Sequence, residues 1–156
     1  MSAIQYRKYA LWAGLTLLVL GAVGFAEGGA WADGGTVRVQ VSGFRNGAGD
    51  LGCALFAGAQ GFPGSDVAVA KEKTAVTLPT SECVFRDVKP GRYAVTVLHD
   101  ENRNGKMDKV WLLGIPLEGY GVSNNKTYAT RGPNFEEAAF ALEGPAELLL
   151  KVVLRY

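Results

Sequence analysis

The chain has 156 residues, with 16 Lys and Arg against 15 Asp and Glu, and 20% of its residues are charged. That near balance, without a basic block, excludes a protein that binds nucleic acid or an anionic membrane surface through its overall charge. No internal repeat or low-complexity tract points to a solenoid or a fibre.

At the N-terminus, "MSAIQYRKYA" carries Arg7 and Lys8, residues 11–26 are apolar and uncharged, and "AWA" at 30–32 places small residues before Asp33. A cationic start, an apolar middle and an A-x-A site follow the order of an export signal. Residues 1–32 are therefore read as a signal peptide and 33–156 as one domain, periplasmic or at the cell surface. A retained anchor is the alternative, but the apolar run falls short of the roughly 20 residues a spanning helix needs. Cleavage leaves no stable membrane span, and basic and acidic side chains in equal number. No cysteine near the signal offers a lipid attachment point.

Both cysteines, Cys53 and Cys83, fall in the exported part. In an oxidising compartment they are read as one disulfide, closing a loop of about 30 residues. Two free buried thiols are the rival reading, because sequence alone does not bring the Cα atoms within bridging distance.

In "TVRVQVSGF", Val37, Val39 and Val41 alternate with polar residues, the period of a half-buried strand. "RNGAGD" supplies a hairpin-type turn centred on Asn46-Gly47. Further strands are read at "LGCALFA" (51–57), "TAVTL" (74–78) and "ECVFRDV" (82–88). "KPGRYAVTVLH" (89–99) opens on the Pro90-Gly91 turn and then sets Tyr93, Val95 and Val97 on one face. "FEEAA" is the one short helical candidate. "AAFAL" (138–142) and "LLLKVVLRY" (148–156) close the chain, the latter with Leu148, Leu150, Val152, Leu154 and Tyr156 on one face. About seven short strands with Gly/Pro turns predict an all-β, immunoglobulin-like antiparallel β-sandwich.

The segment "FRDVKPGRYAVTVLHDENRNGKMD" resembles the prealbumin-like sandwiches of carboxypeptidase regulatory domains and bacterial surface repeats. With "LGIPLEGYGVSNN" (113–125) and "GPNFEEAAF" (132–140), the chain resembles the secreted bacterial family known as domain of unknown function 2141. Val122 stands where that family suggests an aromatic residue, and Asn134 where it suggests a serine. The resemblance implies a location and a fold, and no reaction.

Counting from Asp100, side-chain oxygens fall at positions 1 (Asp100), 3 (Asn102), 5 (Asn104) and 9 (Asp108), with Gly105 at position 6 and the Lys106 carbonyl at 7. Alternate oxygens around a sharp glycine turn are how an EF-hand-type loop surrounds Ca²⁺, which takes six to eight hard oxygen ligands. Position 12 is Trp111 rather than a bidentate glutamate, and Glu118 is the carboxylate proposed to complete the set. Such a site would be weak, with a dissociation constant on the order of 10⁻⁴ to 10⁻³ M. The other reading is a solvated turn whose Asn and Asp side chains bond their own backbone.

Tyr120, Ser123, Asn124 and Asn125 form a second polar cluster, read either as a ligand loop or as an ordered loop that satisfies itself. Gly119 and Gly121 are read as points where its backbone bends sharply. His99 is the lone histidine. A hydrolase would set it beside Ser123 or the carboxylates Asp100, Asp108 and Glu118, but no G-x-S-x-G elbow surrounds any serine. The leading expectation is a non-enzymatic envelope module that binds an envelope protein or a small ligand. A periplasmic hydrolase is the alternative, and a small outer-membrane barrel a third, opposed by strands too short to span.

Overall fold

The computed structural model describes residues 34–112, 114–128 and 131–156. The expected signal sequence and its cleavage site lie outside the described residues. Eight strands form: β1 Gly35–Ser42, β2 Asp50–Phe56, β3 Ala70–Ala75, β4 Thr80–Val88, β5 Gly91–Asp100, β6 Gly119–Val122, β7 Phe140–Leu142 and β8 Glu147–Val153. One four-residue helix, α1 Phe135–Ala138, precedes β7.

The strands make two packed sheets. One runs β4-β1-β8; the other runs β3-β2-β5-β6, with β7 pairing the first residues of β5. The alternation read from β1 is what buries it: Val37, Val39 and Val41 face inward while Arg38 and Gln40 face out. Each such side chain contributes about 1.5–3 kcal/mol by leaving water. Val95 and Val97 of β5 meet them from the opposite sheet, with Leu51, Leu55, Phe85 and Val152 filling the space between, and Tyr93 packs against this core. Cys53 on β2 and Cys83 on β4 are disulfide-bonded, Cα atoms 6.4 Å apart, which clamps one sheet to the other.

Several expectations need correction. The eight strands agree with the seven or so expected of an all-β sandwich, but β8 lies parallel to β1, register Val39↔Leu150, so the pairing is not antiparallel throughout. The third strand is "AKEKTA", which begins four residues before "TAVTL" and takes in only its first two residues. The Asn46-Gly47 turn is no hairpin, because β1 and β2 belong to different sheets and the turn carries the chain across the sandwich. Gly119–Val122 is a strand and not a loop. The two sheets do not close into a barrel, although one pair of edges meets where Tyr120 and Arg155 exchange backbone hydrogen bonds of 2.8 and 2.9 Å. No helix among the described residues is long and apolar enough to cross a membrane.

Candidate functional site

β5 ends at Asp100 and β6 begins at Gly119, so the segment between them is pinned at both ends to neighbouring strands of one sheet. Within it the sequence-predicted oxygen set converges. Asp100 is 2% exposed; its Oδ1 accepts from the Asn104 amide at 3.0 Å and its Oδ2 from the Gly105 amide at 2.7 Å. Asn102 Oδ1 accepts from the Asn104 amide and Asn104 Oδ1 from the Lys106 amide, at 3.0 and 2.8 Å. The Asp108 carboxylate receives the side-chain amides of Asn102 and Asn104, at 2.7 and 3.1 Å. Gly105 adopts φ +76°, the left-handed conformation for which glycine is suited, as the turn at position 6 requires.

Glu118, 4% exposed, closes the ring from β6's side: Oε1 accepts from the Glu101 amide at 3.0 Å and Oε2 from the Asp108 amide at 3.1 Å. Trp111, which occupies the EF-hand's glutamate position, points away into solvent. The loop satisfies its own oxygens through Asn and backbone donors. Among the described residues, no three His, Cys, Asp or Glu side chains come together as a metal cluster by themselves, so a cation would depend on the amide and carbonyl oxygens as well. The charge is less well satisfied. Asp100, Asp108 and Glu118 take part in none of the ion pairs among the described residues, and Arg103 turns outward to Asp50 at 3.2 Å. Two buried carboxylates without an ion-pair partner, beside the Asn and backbone oxygens, are the groups a hard cation would engage at this loop.

His99 lies beside this loop and faces away from it. The ring is fully buried, with Nε2 2.7 Å from the Ala48 carbonyl and Nδ1 2.7 Å from the Tyr156 hydroxyl. A carbonyl only accepts, so Nε2 carries the proton and donates it; the Tyr156 hydroxyl, which accepts from the Arg45 amide at 3.1 Å, then donates to Nδ1. Both nitrogens are therefore committed to the fold. Glu101 borders the same cluster. Arg45 Nε lies 2.7 Å from its buried Oε1 but off the hydrogen-bond direction, so that contact is an ion pair, while Oε2 accepts from Asn46 at 2.9 Å. Burial pushes the Glu101 carboxyl up, but the Asn46 hydrogen bond and the Arg45 charge outweigh it and hold it below the ordinary carboxylate range. Burial, with the nearby Glu101 charge, pushes the Tyr156 phenol up.

The structure does not bring Ser123 to His99. Its buried hydroxyl accepts from the Val95 amide at 3.0 Å and donates to the Ala138 carbonyl at 2.5 Å. Asn124 Nδ2 reaches the carbonyls of Glu137 and Ala139, and Asn125 spans the Lys151 carbonyl and the Val153 amide. These side chains brace the fold's own backbone, while Tyr120 stays half-buried on β6. Gly119 and Gly121 serve close packing rather than sharp bending: a Cβ would lie 2.6 Å from the Tyr156 ring at the first and 2.7 Å from Val152 at the second. "GPNFEEAAF" is a capping box. Asn134 accepts from the Glu137 amide at 3.0 Å and Glu137 accepts from the Asn134 amide at 2.8 Å, so asparagine serves as N-cap where serine was expected. The Asn-x-x-Glu spacing was a readable signal for it.

One concavity was not foreseen. An open cleft of about 260 Å³ lies on the outer face of the larger sheet. Gly52, Ala54, Thr96 and Leu98 line it together with Lys71 and Lys73, and Asp100 and Gly105 of the loop border it as well. The misplacement of β3 hid this cleft, because the two lysines face it only in the register Ala54↔Lys71 and Gly52↔Lys73.

Neither the curated proteins nor the solved structures compared with this chain give a match. Residues 39–148, more than two thirds of the chain, match the family described as "Uncharacterized protein conserved in bacteria (DUF2141)", and the chain belongs to that family.

Proposed function

We propose that the protein is an exported, non-enzymatic β-sandwich module of the bacterial envelope whose 100–118 end is ordered by a calcium ion. The observation that carries this reading is the convergence of Asp100, Asn102, Asn104, Asp108 and Glu118, with two carboxylates buried and none of the three ion-paired. Asp100, Asp108 and Glu118, with the Asn oxygens and the Lys106 carbonyl, are the groups that would hold the ion. It would neutralise buried charge and fix the end of the cleft that Asp100 and Gly105 border. Export is supported by the inter-sheet disulfide, a bond that persists in oxidising compartments. A hydrolase built on His99 would require that ring to give up both of its buried hydrogen bonds, and Ser123 to leave the β5–α1 brace.

The test is thermal melting of the protein in EDTA, in about 10 mM Ca²⁺ and in equal Mg²⁺. For a dissociation constant on the order of 10⁻⁴ to 10⁻³ M, calcium should stabilise the fold by about 1.4–2.7 kcal/mol. An equal shift in magnesium, or none in calcium, would return the segment to a self-satisfied turn.

A further inference from the structure

Between the two ends held by Asp108 and Glu118, the chain leaves the sandwich as a narrow apolar finger, residues 109–112 and 114–117. It is a built hairpin. The Val110 amide donates to the Ile115 carbonyl at 2.8 Å, the Gly114 amide to the Val110 carbonyl at 2.9 Å, and the Leu117 amide to the Asp108 carbonyl at 2.8 Å. Its tip nonetheless carries the two most exposed large apolar side chains among the described residues, Trp111 at 90% and Leu112 at 80%, with Ile115 and Leu117 exposed behind them. Large apolar groups standing clear of a fold mark a surface that meets something else.

We propose that this finger docks the module on an anionic phospholipid bilayer surface, with Trp111 and Leu112 entering the headgroup–acyl boundary. The shape argues for this occupant. A narrow tip offers little flat area for a protein interface, whereas a bilayer accepts a point of insertion, and an indole beside aliphatic residues is the chemistry that settles at that boundary. The charge agrees. Asp108 and Glu118 also stand at the finger's base, but Glu118 is buried and Asp108 turns its carboxylate onto Asn102 and Asn104. Lys106 and Lys109, by contrast, are exposed and join none of the ion pairs among the described residues, so the lysines are the charges offered to the lipid phosphates once the tip is in. Adsorption by overall charge stays excluded by the balanced composition; the apolar tip leads and the two lysines select. The proposal requires no bound cation.

The chain's tryptophans are Trp12, Trp31 and Trp111. Replacing the first two by Phe in the full chain leaves Trp111 as a reporter of the finger alone, whatever the N-terminal segment itself does. Vesicles of one part phosphatidylglycerol to three parts phosphatidylcholine, in EDTA, should shift its emission to the blue and expose it to quenching by brominated acyl chains. In the chain with all three tryptophans, the Trp111→Ser/Leu112→Ser pair should lower vesicle partitioning about tenfold without lowering the melting temperature, since both side chains are in solvent. Lys106→Glu/Lys109→Glu should lose the preference for phosphatidylglycerol over pure phosphatidylcholine. Unchanged Trp111 emission and no quenching on vesicles would overturn the proposal. So would equal partitioning by the serine pair, or a concentration-dependent dimer that the serine pair abolishes, which would assign the finger to a second copy of the chain.

Discussion

Replacing Asp100 by alanine separates a calcium ligand from a turn residue. The carboxylate accepts two backbone amides, at 3.0 and 2.7 Å, and is almost fully buried. Hydrogen bonds to a charged acceptor contribute about 1.5–3 kcal/mol each. The Asn104 amide keeps a second partner in Asn102 Oδ1, and Gly105 is exposed enough to find water, so the loss lies nearer the lower end, about 2–4 kcal/mol in EDTA. For a domain of this size that corresponds to a melting temperature lower by roughly 10 °C. The calcium increment, about 1.4–2.7 kcal/mol for the wild type, depends on the ion binding only the folded state and should vanish in the variant. Asp100→Asn, which keeps the shape but not the charge, should retain over half of the EDTA stability and still lose the increment. Calorimetry in the two buffers reads both numbers. If Asp100→Ala keeps the full calcium shift while losing stability equally in both buffers, the residue is a turn residue and the calcium assignment fails.

Removing the Tyr156 hydroxyl with Phe leaves His99 Nδ1 buried without its partner, and should cost about 1–3 kcal/mol in urea unfolding; an unchanged midpoint would show that the network carries no stability. The Cys53–Cys83 bond closes about 30 residues, so reduction should lower stability by about 3–4 kcal/mol in the chain-entropy account, read as the difference between melts with and without reductant; equal melts would refute it. Glu137 is held at about 2, below its usual 4.5, by Arg131 first, then the Asn134 amide and Tyr128. Its folded value is depressed, so its contribution is complete above about 4.5 and is lost as the pH falls through 2. Urea midpoints between pH 5 and 2 should therefore decline less in Glu137→Gln than in the wild type, and parallel declines would contradict the assignment.

What the sequence reveals divides along physical lines. β1 announces itself because its burial follows the side-chain period, and β5 shows the inward half of that pattern in Val95 and Val97, although its outer face is itself covered at Ala94 and Asp100. β3 does not: "AKEKTA" is an edge strand with mostly exposed side chains, and its lysines protect an open edge rather than fill a core. β6 hides because four residues with two glycines read as a loop until the close approach of Tyr156 and Val152 explains them. Asn46-Gly47 shows that a turn occurs, but which strands it joins is decided by distant pairings. The oxygen spacing of residues 100–108 was legible because it is local. The roles of His99 and Ser123 depend on Ala48, Tyr156 and Ala138, and no short window contains them.

The run His99, Asp100 and Glu101 explains how this end of the molecule works as a unit. One strand end sends His99 into the core toward β8's tail, turns Asp100 onto the loop amides, and offers Glu101 to Arg45 and Asn46 on the sheet-crossing turn, while the Glu101 amide holds Glu118. Glu118 in turn grips the Asp108 amide, so the two ends of the apolar finger are fastened to each other through the same carboxylate that would meet the cation. A cation that favours this arrangement of Asp108 and Glu118 and a bilayer that favours the ordered finger would act on one equilibrium. Linkage then demands reciprocity: whatever factor calcium adds to vesicle affinity, vesicles must add to calcium affinity. Equal calcium titrations with and without vesicles would mean that loop and finger are independent devices joined only by sequence.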